Sequence, residues 1–206
     1  ALVDVSLQLV WDNWEISFQS LVGMFPHLFK RLLALRAAVE RETGAENAPA
    51  ATRPPTPGWL LQLLPPLRAL DWTRKAKYHS VHALLPLLPR GAALLLELWP
   101  TLLPEVYASL HAPNMKSYAC QLLDDVLRSL QCEWPGDGGS YRSEWTSAVI
   151  APLVSSLLHA SATQSSAILQ STLPPLLAAQ PAALGWILDL TAATISAAPR
   201  AAVCAE

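Results

Sequence analysis

The chain has 206 residues, with 14 Lys and Arg against 16 Asp and Glu, a formal charge of −2, and 8 Gly beside 18 Pro. That balance excludes a protein whose overall field recruits nucleic acid or an anionic membrane, so any electrostatic site must be local. Leu and Ala abound while Val, Ile and Tyr are sparse, and most prolines fall where short helices would begin, end or bend, so the chain reads as all-α.

From Leu2 to about Ser20, the residues Leu7, Val10, Trp11, Trp14 and Phe18 recur at three and four, the stripe of an amphipathic helix. A second helix is predicted from about Pro26 to Arg41, with Leu28, Phe29, Leu32, Leu33 and Leu35 inward and Lys30, Arg31, Arg36, Glu40 and Arg41 largely outward. Residues 42–58, rich in Gly, Pro, Ala and Thr, read as a flexible loop, because they bury too little surface to offset chain entropy. Helices resume over about 59–70, 73–88, 92–98, 101–111 and 114–131. A second flexible loop, 132–145, precedes three more helices over about 146–160, 165–179 and 182–197. Short connections make successive helices antiparallel neighbours, and a two-helix unit of about 35 to 45 residues matches HEAT or armadillo spacing. Residues 1–206 therefore read as a single helical-repeat segment, a solenoid in which each antiparallel pair buries itself on the next. No initiator Met opens the chain and no capping pattern closes it, so a longer parent protein is expected.

Between Glu144 and Asp189 no charged residue occurs, yet Ser, Thr, Gln and Pro interrupt the run. A span needs about 20 consecutive apolar residues, so helices sandwiched between helices are expected here and no membrane span. The three cysteines, Cys120, Cys132 and Cys204, are odd in number and far apart, without the paired spacing of a disulfide framework, which fits a reducing, intracellular compartment.

One cluster stands out. In "DWTRKAKYHSVHALLPLLP", Asp71 to Pro89, Arg74, Lys75 and Lys77 precede a run of leucines. At about 100° per residue, Lys77, Tyr78, Val81, Leu84, Leu85 and Leu88 share the packed face, Lys75, His79 and His82 project on the other side, and Arg74 reaches toward water. Cations at a helix N-terminus oppose its dipole at about 0.3 to 1 kcal/mol each. Two readings follow: the three cations solubilise a leucine-rich helix, or they contact phosphate or an acidic protein.

The pattern of Trp72, Lys75, Lys77 and Tyr78, followed by Tyr118, Ala119, Leu122 and Leu123, spans about 60 residues and resembles the thyroid adenoma-associated protein (THADA) family. The resemblance implies a long HEAT or armadillo-type solenoid whose fungal relatives are partner subunits in tRNA 2′-O-ribose methylation. It implies a separate FtsJ-like methyltransferase that uses S-adenosylmethionine on the anticodon loop, with the solenoid holding enzyme and tRNA in register. It implies no catalytic residue, cofactor or small-molecule substrate for this chain. Arg74, Lys75 and Lys77 are then candidate contacts to that enzyme or to tRNA, whereas Trp72, Tyr78, Tyr118, Leu122 and Leu123 are expected to be structural. A general HEAT-type protein adaptor without an RNA role is the alternative.

Other constellations are weaker. His79 and His82 stand three apart, but zinc needs at least a third protein ligand and none is placed by sequence. Gly136 to Ser140 lacks the Lys-Ser/Thr ending of a phosphate loop. Adjacent Asp124 and Asp125 diverge by about 100° and read as helix-surface charges. Ser155, Ser156 and His159 lack a positioned carboxylate and are expected at helix contacts. The eight tryptophans, including Trp11, Trp14, Trp59, Trp72 and Trp99, recur with apolar neighbours at helical spacing and are expected to pack in the core rather than stack bases.

Overall fold

The computed structural model describes residues 2–13, 24–44, 56–135 and 141–197. In chain order these form α1 (Leu2–Asn13), α2 (Met24–Gly44), α3 (Gly58–Ala69) and α4 (Lys75–Leu84), closed by a 3₁₀ turn at Leu85–Leu87. There follow α5 (Gly91–Leu98), α6 (Leu102–Ser109), α7 (Lys116–Glu133), α8 (Arg142–Trp145), a π segment (Thr146–Ile150), α9 (Ala151–His159), α10 (Ala162–Ala179) and α11 (Ala183–Ala197). The described residues contain no strand. Trp14, Phe18 and the stretch Gly136 to Ser140 lie outside them.

Two ranks of helices result. In one, α2 lies against α4, α4 against α7 and α7 against α10; in the other, α6 meets α9 and α9 meets α11. Between them runs a continuous apolar layer, from Val10 and Trp11 at one end to Trp186 and Ile187 at the other. Trp11, Trp59, Trp99 and Trp145 are buried within it.

The helix ends correct the expected loops, and capping explains why. The Glu40 carboxylate of α2 accepts hydrogen bonds from the backbone N–H of Gly58 (2.7 Å) and Trp59 (3.2 Å), which starts α3 at residue 58. At the second loop, Cys132 and Glu133 stay helical, because the Glu133 carboxylate accepts from the N–H of Ala92 (2.8 Å) and Ala93 (3.0 Å) at the start of α5. Arg142 then opens α8.

Side chains depart from the expected faces at α2. Phe29 and Leu33 are fully buried, Phe29 against Trp11 with ring centres 6.0 Å apart, but Leu28 and Leu35 are 45% and 57% exposed rather than inward. A single buried stripe, Phe29 and Leu33 with the half-buried Leu32, carries the packing of α2.

Two proline pairs fall inside helices. Pro65 and Pro66 lie inside α3, and Pro174 and Pro175 inside α10. Each pair withdraws two N–H donors, but the carbonyls left over in α3 belong to Leu61 and Gln62, both on the exposed face where water satisfies them. Pro152 at the start of α9 follows the π segment; its ring and missing N–H disallow the ordinary i→i−4 bond and the ladder widens there.

Candidate functional site

The connection from α3 to α4 is set by Asp71, whose carboxylate accepts the Thr73 N–H at 2.7 Å in an Asx turn. That backbone bond, with the Thr73 side chain, holds the Asp71 carboxyl below its usual range. Arg74 then caps α4 in an extended conformation. Its guanidinium does not simply reach to water: Nη2 donates to the Trp11 carbonyl at 2.7 Å, tying α4 to α1. Trp11 returns the tie by donating Nε1–H to Ser80 Oγ at 2.9 Å.

Lys77 is 2% exposed. Its ammonium donates to the carbonyls of Arg68 (3.0 Å) and Leu70 (2.7 Å) at the end of α3, and sits 4.3 Å from the Trp72 ring centre and 5.2 Å from that of Trp99. A cation that opposes the dipole of its own helix thus satisfies the unpaired C-terminal carbonyls of the preceding one, where positive charge is favourable. Burial pulls the Lys77 ammonium below its ordinary value, and Glu105, 3.8 Å away, pulls it partly back.

Glu105 is the acidic counterpart. Its carboxylate accepts from Trp72 Nε1 (2.6 Å), Trp99 Nε1 (3.4 Å) and Thr101 Oγ1 (2.5 Å). Partial burial alone would raise this carboxyl, but those three donors and the Lys77 charge outweigh it and hold it below the ordinary glutamate value. Tyr78, edge-on to Trp72 with centres 5.0 Å apart, donates its hydroxyl to the Trp72 carbonyl at 3.0 Å. The whole arrangement, Trp72, Lys77, Tyr78, Trp99 and Glu105, is an internal polar knot joining α3 and α4 to α6. Sequence periodicity placed Lys77 and Tyr78 inward and Trp99 in the core but missed Glu105; the available signal was a lone acid inside the otherwise apolar run of α6.

On the opposite side of α4, Lys75 is half-buried with its ammonium 5.7 Å from the Tyr118 ring centre. His79 packs edge-on to the same ring at 5.5 Å. Tyr118 is half-buried on α7, while Leu122 and Leu123 one turn on are in the core. Lys75 and His79 therefore share an aromatic wall, and this wall leads to a groove of about 440 Å³ between α2, α4 and α7.

The remaining candidates resolve into ordinary surface contacts. His82 Nδ1 lies 2.6 Å from Asp125 Oδ2, so a carboxylate is in fact placed beside one imidazole, but the described residues contain no group of three metal-ligating side chains. Asp124 pairs with Arg128 one turn away. Ser155 and His159 are exposed rather than at a helix contact, and His159 Nδ1 bonds the Ser155 carbonyl at 2.7 Å. The Tyr107 hydroxyl is buried without a hydrogen-bond partner; burial raises its pKa and keeps the phenol neutral near pH 7. Cys120 and Cys132 are free thiols. Among the described residues no helix is long and apolar enough to cross a membrane.

Comparison with known proteins gives a match to the tRNA (32-2′-O)-methyltransferase regulator THADA of Gallus gallus, at 22% identity over 195 residues. The match covers 93% of this chain, well beyond the Trp72 to Leu123 pattern, and 9% of the relative's own length. No family model matches the chain, and no solved structure does.

Proposed function

We propose that this chain is a non-catalytic, HEAT or armadillo-type scaffold segment supporting tRNA 2′-O-ribose methylation in the anticodon loop. The observation that carries the reading is the likeness to a named regulator of a tRNA methyltransferase along 93% of the chain. In this reading the chemistry belongs to an FtsJ-like enzyme in the cytoplasm, and the helical ranks hold that enzyme and its tRNA in place. The internal knot supports it: the polar groups that sequence marks most strongly are spent on joining helices, which is the work of a scaffold rather than of an active site.

Arg74 and Lys75 are the proposed contacts. A guanidinium has five N–H donors, so one bond to the Trp11 carbonyl leaves Arg74 able to meet a phosphate or carboxylate. Lys77 instead stiffens the α3–α4 corner from which both project. Binding of tRNA and of the methyltransferase to the chain tests this. Reversal of Arg74 and Lys75 to Glu together is expected to weaken at least one association about tenfold and to flatten its salt dependence by about 1.5 in log–log slope. Unchanged affinity for both partners would remove these cations from recognition. A protein adaptor without an RNA role draws on a different observation, the exposed Leu184, Leu188 and Ile195 along one face of α11. Binding that responds to substitution of those three apolar side chains and not to salt would select it.

A further inference from the structure

We infer that the groove between α2, α4 and α7 binds one nucleotide unit of a single-stranded RNA, the phosphate on its basic rim and the base on its apolar floor. The rim is built by two helices. His27 and Lys30 stand three apart on α2, His79 and His82 three apart on α4, and both pairs line the same cavity of about 440 Å³. Residues at that spacing are neighbours on one helix face, so each pair lines the groove as a unit. From α7 comes Asp125, the carboxylate of the lining, and it is engaged by His82 at 2.6 Å rather than left to repel an anion. Ser129 of α7 adds a hydroxyl, and Leu85 with Pro86 from the 3₁₀ turn supplies the apolar part.

Several ligand classes could be drawn to imidazoles, and the surroundings separate them. A metal ion would need three convergent ligands, which the described residues do not offer. An acidic peptide would use the charges but not the adjoining rings. Those rings form a continuous strip: Lys75 lies 5.7 Å from the centre of Tyr118, and Tyr118 lies 5.5 Å from His79 at the mouth of the groove. Cations interleaved with flat π surfaces, leading to a pocket with an apolar floor, are the features that hold unpaired bases and their phosphates. The choice of RNA over another single strand rests on the proposed function; the nucleotide chemistry does not.

The test follows the imidazole carbon-bound proton resonances of the whole chain by NMR. The chain is titrated with a single-stranded RNA dodecamer, adenosine monophosphate, inorganic phosphate and a Glu-rich dodecapeptide at one fixed pH. The dodecamer is expected to move the His27, His79 and His82 signals. The exposed substitutions Lys30→Gln and His27→Gln, which leave the core untouched, are each expected to weaken dodecamer binding at least about threefold, and Lys30→Gln to reduce the log–log salt slope by about 0.7. Three results overturn the assignment: unmoved imidazoles, shifts produced by the peptide or by free phosphate but not by the dodecamer, and equal dodecamer affinity in Lys30→Gln. A chain that binds the dodecamer here yet never associates with the methyltransferase contradicts the scaffold reading and leaves the groove assignment standing. Association with the enzyme beside unmoved imidazoles does the reverse.

Discussion

Lys77 shows how a residue's environment reverses what its charge suggests. A lysine in the first turn of a leucine-rich helix reads as a solvated or partner-seeking cation, yet here it is buried and its three donors are turned onto two carbonyls, two indole faces and Glu105. Replacing it by Met keeps the volume but leaves the Arg68 and Leu70 carbonyls without their donor and Glu105 without its cation. Lys77→Met is expected to destabilise the protein by about 2 kcal/mol in urea unfolding. A second consequence concerns acid. Because the folded-state carboxyl of Glu105 is held below the ordinary 4.5, its contribution is fully present above that pH and is lost as pH falls through the lower folded value. The stability of Glu105→Gln, measured by urea midpoint from pH 6 to pH 3, should therefore fall less steeply with acid than that of the parent. Burial of Lys77 was legible from the 100° periodicity of α4. Its partners were not, because Glu105 lies 28 positions away and only the packing of α6 beside α4 brings the two together.

At the scale of helices, the pattern of apolar residues located α3 to α7 to within about two residues, except that α4 ends four residues early in its 3₁₀ turn, since each buries one stripe on a neighbour. The ends were less legible because their caps come from other helices. Glu40 on α2 caps α3, and Glu133 on α7 caps α5, contacts over 18 and 41 positions that no local rule contains. The α5 start is the sharper case. Gly91 has φ +38°, and a Cβ built there would lie 2.3 Å from Ser129 Oγ and 2.4 Å from Glu133 Oε1, the same two groups that bond the Ala92 N–H. Gly91→Ala must both strain the backbone and push the cap aside. It is expected to lower stability by about 2 kcal/mol and to raise hydrogen exchange at Ala92 and Ala93. The α10 N-terminus, by contrast, is written locally: Ser161 and Gln164 form a capping box that starts the helix at Ala162, three residues before the expected Ser165.

For the whole molecule, two ranks of helices share a continuous apolar layer, with a polar knot at the α3–α4 corner and basic side chains along α2 and α4. The all-helical fold followed from composition and periodicity. What the surfaces recognise did not, because recognition depends on which outward residues of different helices converge, as His27, Lys30, His79 and His82 do around one groove. The proposed scaffold role can be tested by exchange with the chicken methyltransferase regulator that the chain resembles at 22% identity. In the chicken protein, the 195 matched residues are either deleted or replaced by this chain, and methyl transfer to the tRNA ribose is measured with the partner methyltransferase. The scaffold account predicts that deletion abolishes methylation and that replacement restores it to within about tenfold, a difference of about 1.4 kcal/mol. A folded, soluble replacement protein as inactive as the deletion, or a deletion that methylates normally, would contradict it.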